Sequence, residues 1–324
     1  MKYIFLVNPF GKKEILRGIY AALSALKSKL GAEMILVHET EYAGHAKILA
    51  AQFAAEFGSQ AIIFSCGGDG TAHEIANGLA YTDTAMSIIP LGTGNDFAKM
   101  VLTISERKKP VDLVSRIEQC MIQNIDLFRV SCFDARQKQI NDWNEYCLNI
   151  TSFGLDTAVQ AAAKKIVSST KRISFIRNAA YPAATVYAIS KGWDYQVKYT
   201  FQDAITGDEI AGETAFILLA ICNGSYYGGG YCPAPQAKLS DGILDVCVVE
   251  DMSLLRVIPL VSRYKAGNHL GHPKIKSYRV KSGVLQTVRP ELNLLRGNYD
   301  GEDFWGAQIH FEVCSAALKY ATLA

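Results

Sequence analysis

The sequence predicts an α/β protein, with an N-terminal doubly wound parallel sheet followed by a C-terminal β-sandwich. Three observations carry that prediction. In the first third, short continuous apolar runs alternate with amphipathic stretches, the pattern of parallel strands buried on both faces. Glycine-rich turns follow those apolar runs and lead into helical spacing. Beyond Ile125 the helices give way to a succession of strand-like segments.

Each element follows from its own pattern. KYIFLVN reads as the first strand and Ile15 to Leu30 as a helix. EMILVHET precedes a helix over His45 to Phe57, QAIIFSC precedes a helix over Thr71 to Tyr81, and MSIIP closes the set. Later, DLFRVSC, EYCLNITSF, WDYQVKYTF, ETAFILLAIC and ILDVCVVE read as strands, and Trp193, Tyr195, Val197, Tyr199 and Phe201 share one face at a period of two. A long helical insertion is expected from Thr157 to Lys191, and a shorter helix from Ser253 to Tyr264. Two domains are expected, residues 1–126 and 127–324, crossing at Asp126, with the last residues able to return to the first domain.

Composition sets outer bounds. A chain of 324 residues is long for one core, and 49% apolar with 20% charged residues is ordinary for a soluble globular protein. A net charge of +2 does not call for nucleic acid, and none is expected as a partner. None of the eight cysteines forms a C-x-x-C pair and most lie in apolar runs, so reduced core thiols are expected rather than zinc ligands. The apolar stretch in MKYIFLVNPFGKK is too short for a secretory signal, and no apolar run approaches the roughly 18–20 residues that cross a bilayer. A cytoplasmic protein is the expectation.

The loops carry the chemistry. SCGGDGTAHE, residues 65–74, could be a hairpin turn at Asp-Gly, but AHEIANGLA after it has helical spacing. A strand, a glycine turn and a helix N-terminus together offer free N–H groups and positive dipole, which suits phosphate oxygens. Neither a G-x-x-x-x-G-K-S/T loop nor a G-x-G-x-x-G fingerprint is present here. PLGTGNDFA, residues 90–98, repeats the arrangement on the next strand, and two such loops favour a nucleoside triphosphate. Asn95 and Asp96 suit helix capping as well as a ligand. NPFGKK adds Lys12 and Lys13 at the same strand ends, where Lys12 could neutralise phosphate or be merely solvated. All the unusual loops, HETEYAGHA after the second strand included, are expected to converge on one crevice at the strand ends.

These motifs, N-P-x-G-K at Asn8 to Lys12, G-G-D-G-T at 67–71 with Glu74 behind it and P-L-G-T-G-N-D-F-A at 90–98, resemble the catalytic domain of diacylglycerol, sphingosine and ceramide kinases and their bacterial lipid-kinase relatives. The resemblance continues through Asn223, Gly228-Gly229-Gly230, Pro233, Pro235, LSDGILDV at 239–246 and YDGE at 299–302, so it covers nearly the whole chain in order. G-G-D-G-T alone is shared with nicotinamide dinucleotide kinases; the later motifs point to the lipid-kinase side.

The resemblance implies an ATP- and Mg²⁺-dependent kinase of a lipid hydroxyl. It implies nucleotide contacts from Asn8, Pro9, Gly11 and Lys12, from Thr40 ahead of Gly44-His45, from Gly67, Gly68, Asp69, Gly70, Thr71 and His73, and from Thr93 and Asn95. It implies Glu302 as catalytic base, Asp69 as its partner on the nucleotide side through water or Mg²⁺, and a structural metal held by Asp241 and the main-chain oxygens of Lys238 and Ile243. His73 departs from the small amide common at that position, and the compact length resembles the bacterial branch.

A lipid acceptor must be met at a bilayer. From Thr157 to Trp193 there are six basic residues and no acidic one, interleaved with apolar side chains, so peripheral contact with an anionic membrane is expected; an ordinary helix with a solvated basic face is the alternative. A second basic patch lies at residues 262–276, and a homodimer is left open. Two other readings are a kinase of a soluble nucleotide such as NAD and an ATP-binding regulator without turnover. The identity of the lipid is not legible.

Overall fold

The structure, a computed structural model, describes residues 1–140, 145–155, 195–290 and 294–323. The expected helical insertion over Thr157 to Lys191 lies outside the described residues.

The N-terminal third alternates strand and helix: β1 (Lys2–Val7), α1 (Lys13–Leu30), β2 (Ile35–Glu39), α2 (His45–Phe57), β3 (Ala61–Gly67), α3 (Asp69–Leu79) and β4 (Ala85–Pro90). Strands β2, β1, β3 and β4 are parallel neighbours in that order. Their unbroken apolar runs are explained by burial on both faces: all of β3 and β4 is buried, and Ile4 to Val7 are fully so. Helix α1 turns Leu16, Ile19, Leu23 and Leu26 inward at helical spacing. Three short helices follow, α4 (Ala98–Val101), α5 (Ile104–Lys108) and α6 (Pro110–Leu113); Thr103 and Glu106 form a reciprocal capping box at the start of α5.

The rest of the described chain is mainly β: β5 (Cys120–Phe133), β6 (Tyr146–Cys147), β7 (Ile150–Gly154), β8 (Gln196–Asp203), β9 (Glu209–Cys222), β10 (Leu244–Glu250), β11 (Ile275–Thr287), β12 (Leu295–Tyr299), β13 (Glu302–Gly306) and β14 (Gln308–Leu323), with α7 (Leu254–Lys265) between β10 and β11. Among the described residues the main hydrogen-bonded path runs β13-β12-β7-β9-β10-β11-β14-β4-β3-β1-β2, and β5, β6 and β8 pair off it. Val197, Tyr199 and Phe201 lie buried on one face of β8, as the period of two predicts.

Asp126 lies inside β5, not in a linker. β5 and β14 pair antiparallel from Cys120↔Leu323 to Phe133↔Gln308, and Lys319 and Tyr320 of β14 pair in parallel with Ala85 and Met86 of β4. Leu318, Tyr320, Ala321 and Leu323 join the same apolar core as β1 and β3. The chain end therefore completes the first sheet. A second core lies among the sandwich strands around Phe153, Phe201 and Phe311, and a third, around Ala234, Leu260 and Tyr264, underlies α7. No described helix is long and apolar enough to cross a membrane.

Candidate active site

Parallel strands bring the loops after β1, β3 and β4 to one edge, where they line a cavity of about 560 Å³. Its walls are Asn8 to Lys12 without Pro9, Gly67 to Gly70, and Leu91 to Gly94. Lys12 is the one cation among these lining residues, and it is exposed. Thr93 stands exposed at the rim. A second cavity of similar size, between Arg129 and Gln202 on the sandwich strands, shares no lining residue with it.

The two glycine loops touch through bare backbone. A Cβ on Gly92 would lie 2.6 Å from the Gly68 Cα, a separation no side chain tolerates. The main-chain N–H groups of Leu91 and Gly92 donate to the Gly67 carbonyl at 2.8 and 3.3 Å. Asn95, in a left-handed conformation (φ 47°), clamps the second loop: its Oδ1 accepts from Gly92 N at 3.0 Å and its Nδ2 donates to Gly92 O at 2.8 Å. Asn95 thus braces the loop.

Asp69 opens α3 and joins the loops, its Oδ1 accepting from Phe97 N at 3.0 Å. Burial raises its pKa, the neighbouring Asp96 adds to that, and the N–H groups of Asp96 and Phe97 oppose it. Thr71 is buried beneath the loop, where Asn8 Nδ2 donates to its hydroxyl at 3.4 Å. Thr40 is buried beside the first loop, its N–H donating to Val7 O at 2.9 Å. Neither residue lines the cavity, and nor does Pro9. Of the expected convergence, the first, third and fourth loops share the cavity while Thr40, from the second, stays behind it.

The structure turns His73 away from the cavity. It lies about 6 Å along α3 from Asp69 at 1.5 Å per residue, and its Nδ1 is 3.0 Å from Asp300 Oδ2 with both side chains buried. Asp300 and Gly301, both at positive φ (45° and 108°), form the two-residue turn between β12 and β13, and Glu302 pairs with Tyr299 directly after it. The Asp300 carboxylate accepts from Leu148 N (2.6 Å), Asn149 N (3.1 Å) and Ile150 N (3.1 Å). Glu302 itself is exposed. An Asp-Gly between strands ordinarily signals a solvated turn, so the sequence carried no sign that this carboxylate is buried.

Two further contacts close the cleft. Asp96, paired with Lys99, accepts from Gly229 N at 2.8 Å, joining the second glycine loop to the triglycine segment between β9 and β10. Glu145 accepts from Lys47 at 2.9 Å and from the Tyr299 hydroxyl at 2.7 Å. Burial works against the Glu145 charge, but Lys47 and Tyr299 outweigh it and lower its pKa. Asp96, for which the sequence offers a cap or a ligand role, instead bridges to the triglycine segment; the roles of Glu145 and Lys47 have no motif to reveal them.

The SDG loop lies apart. Asp126 accepts from Gly242 N and from Ala316 N, each at 2.7 Å. Asp241 Oδ2 accepts from Arg279 at 2.7 Å, while Oδ1 is buried without a hydrogen-bond partner. Asp245 is 3.9 Å from the same guanidinium, so two carboxylates face one cation; burial, reinforced by Asp241 and opposed by Arg279, pushes the Asp245 carboxyl up to about 6. Among the described residues no three His, Cys, Asp or Glu side chains gather as metal ligands, so a metal here would need main-chain or substrate oxygens. All eight cysteines are free thiols.

Residues 2–130 match the diacylglycerol kinase catalytic domain, and residues 149–322 match the YegS C-terminal NAD kinase beta sandwich-like domain, the second spanning more than half the chain. The chain belongs to the diacylglycerol kinase and YegS-type lipid kinase family. It is similar to a "Probable lipid kinase YegS-like" protein of Stenotrophomonas maltophilia, 28% identical over 269 residues that cover 80% of this chain and 77% of the relative. A diacylglycerol kinase of Staphylococcus carnosus is 24% identical over 311 residues, covering 94% and 92%. The crystal structure of a diacylglycerol kinase from Bacillus anthracis shares the fold, with a TM-score of 0.62 over 98% of this chain and 96% of that one at 20% identity. Family membership makes this lipid kinase an ATP-dependent phosphotransferase.

Proposed function

We propose that this lipid kinase transfers the γ-phosphate of ATP to the hydroxyl of diacylglycerol or a related membrane lipid, with Glu302 as the general base. One observation carries the reading: α3 begins in the cavity walled by the glycine loops and, one turn on, holds the hairpin turn that bears Glu302. Phosphoryl transfer asks for positioning, charge neutralisation and an acceptor for the alcohol proton. Main-chain N–H groups of Gly67 to Gly70 and of Thr93 and Gly94 receive the phosphate oxygens, and Lys12 offsets their charge. Glu302, exposed and ionisable, takes the proton as the lipid oxygen attacks.

Asp69 fixes both loops through Phe97, which leaves Oδ2 toward Gly94 to meet the water shell of nucleotide-bound Mg²⁺. The SDG loop fits a structural cation: Asp241 Oδ1 is buried and unpartnered, and one guanidinium does not balance two carboxylates. Asp241 and the carbonyls of Lys238 and Ile243 would hold that ion, and Arg279 orients the carboxylate. Mg²⁺, when bound, neutralises phosphate charge at the nucleotide and ties down the loop at Asp241.

Contact with an anionic bilayer is supported by α7, which exposes Leu255 (83%) and Ile258 (65%) beside Arg256, Arg263 and Lys265, with no acidic residue along its length.

The test is radiolabelled γ-phosphate transfer into lipid from mixed vesicles containing phosphatidylglycerol and diacylglycerol. Label is expected in lipid, falling by roughly 100-fold or more in Glu302→Gln, and vesicle binding is expected to weaken as salt rises. Label incorporated equally by wild type and Glu302→Gln would refute the base assignment. Transfer to NAD without vesicles, and none to lipid, would refute the acceptor class.

A further inference from the structure

His73 belongs to the helix that starts at the glycine loop, yet its ring leaves the nucleotide and enters the junction with the sandwich. Its Nδ1 faces Asp300 Oδ2 at 3.0 Å, and both side chains are buried, at 7% and 5% exposure. On the other edge Asn77 Nδ2 lies 3.3 Å from Nε2, and the Asn77 amide is itself set by Tyr146, whose N–H donates to Asn77 Oδ1 at 2.7 Å and whose carbonyl accepts from Nδ2 at 2.9 Å. The Asp300 carboxylate can only accept, so Nδ1–H donates to it, while the two hydrogens of Asn77 Nδ2 go to the carbonyls of His73 (3.0 Å) and Tyr146 (2.9 Å) and hold the helix at the ring's other edge.

Asp300 occupies a strained position, at positive φ without being glycine, and its carboxylate is held by the main-chain N–H groups of three consecutive residues, Leu148 to Ile150. His73 supplies its one partner from the N-terminal layer in this hydrogen-bond set. Two residues further along the same turn stands Glu302. We propose that His73 is a positioning residue for phosphoryl transfer: donated from the nucleotide-loop helix to Asp300, its hydrogen bond fixes the turn that presents Glu302 to the γ-phosphate. The inference rests on the reading of Glu302 as base.

The experiment uses the full chain with MgATP and the vesicles above, comparing wild type, His73→Ala, His73→Asn, Glu302→Gln and the double variant His73→Ala/Glu302→Gln, each checked for folding by its melting temperature. His73→Ala is expected to lower kcat by at least 20-fold with KM for ATP changed less than twofold. His73→Asn, whose Nδ2 stands the same three bonds from Cα as the histidine Nδ1, should recover kcat to within fivefold of wild type. In the Glu302→Gln background, His73→Ala should cost less than threefold more, because a turn that presents no base has nothing left to position.

Unchanged kcat in folded His73→Ala would overturn the inference. So would a loss confined to KM for ATP, His73→Asn as impaired as His73→Ala, or effects that multiply in the double variant. Full kcat in Glu302→Gln would instead refute the base assignment, and the positioning role with it; the two failures therefore have different signatures.

Discussion

At the scale of single residues, the nucleotide loops depend on what is missing as much as on what is present. Gly92 and Gly68 meet at a distance that admits no Cβ, so Gly92→Ala must force the two loops apart. Asn95 supplies the complementary constraint, two hydrogen bonds to the N–H and C=O of Gly92 from a left-handed backbone. Asn95→Gly retains that backbone and removes both bonds, each worth about 1 kcal/mol. Steady-state kinetics should show KM for ATP raised roughly tenfold with kcat little changed, whereas Gly92→Ala should abolish nucleotide binding measured by calorimetry. The strand, glycine turn and helix N-terminus that carry the proposed phosphate site were readable from sequence because their signals are local. That Asn95 braces the loop, that Thr71 lies beneath it and that His73 leaves it depend on contacts with segments far along the chain.

At the scale of elements, the parallel strands and the helices between them were legible because burial on both faces and helical spacing are periodic signals. The α2 boundaries, His45–Phe57, coincide with the reading, and β3 differs only at its ends. β11 to β14 were not resolved as strands in advance, because mixed runs such as IKSYRVKSGV alternate only weakly between buried and exposed positions. β14 also departs from simple pairing: its register with β5 breaks between Cys314 and Leu318, with Ala316 at φ 54°. Asp126 repairs that break by accepting from Ala316 N, and it holds the SDG loop through Gly242 N. With Asp126 only 3% exposed, Asp126→Ala should leave both N–H groups unsatisfied and cost about 3 kcal/mol in urea unfolding. Activity should fall as well, since the same carboxylate sets the Asp241 loop. A loss under 1 kcal/mol would mean that the bulge is held elsewhere.

At the scale of the whole molecule, the proposed catalytic turn and a pH-dependent contribution to stability meet at the junction around His73. Burial lowers the His73 pKa, but the hydrogen bond and charge of Asp300, followed by the charges of Glu145 and Glu302, outweigh it and raise it. Lys47 partly offsets Glu145, and Tyr299 donates its hydroxyl to the same carboxylate. A raised histidine pKa stabilises the fold fully below the unfolded value of about 6.5, and that contribution is lost as pH rises through the folded value. Urea midpoints should therefore fall between pH 6 and pH 9 in wild type, and the fall should be smaller in His73→Gln. Equal slopes for the two proteins would show that His73 does not carry the linkage. Family, fold and chemical class were visible in short motifs; the junction was not, because it forms only when the chain end returns to the first sheet and the hairpin of β12 and β13 closes on α3.

The decisive measurement is a crystal structure with a non-hydrolysable ATP analogue and Mg²⁺. The triphosphate should lie against the N–H groups of Gly67 to Gly70 and of Thr93 and Gly94 with Lys12 beside it, and the Glu302 carboxylate should face the γ-phosphate across the cleft. A triphosphate bound elsewhere, or Glu302 directed away from it, would contradict the proposed site.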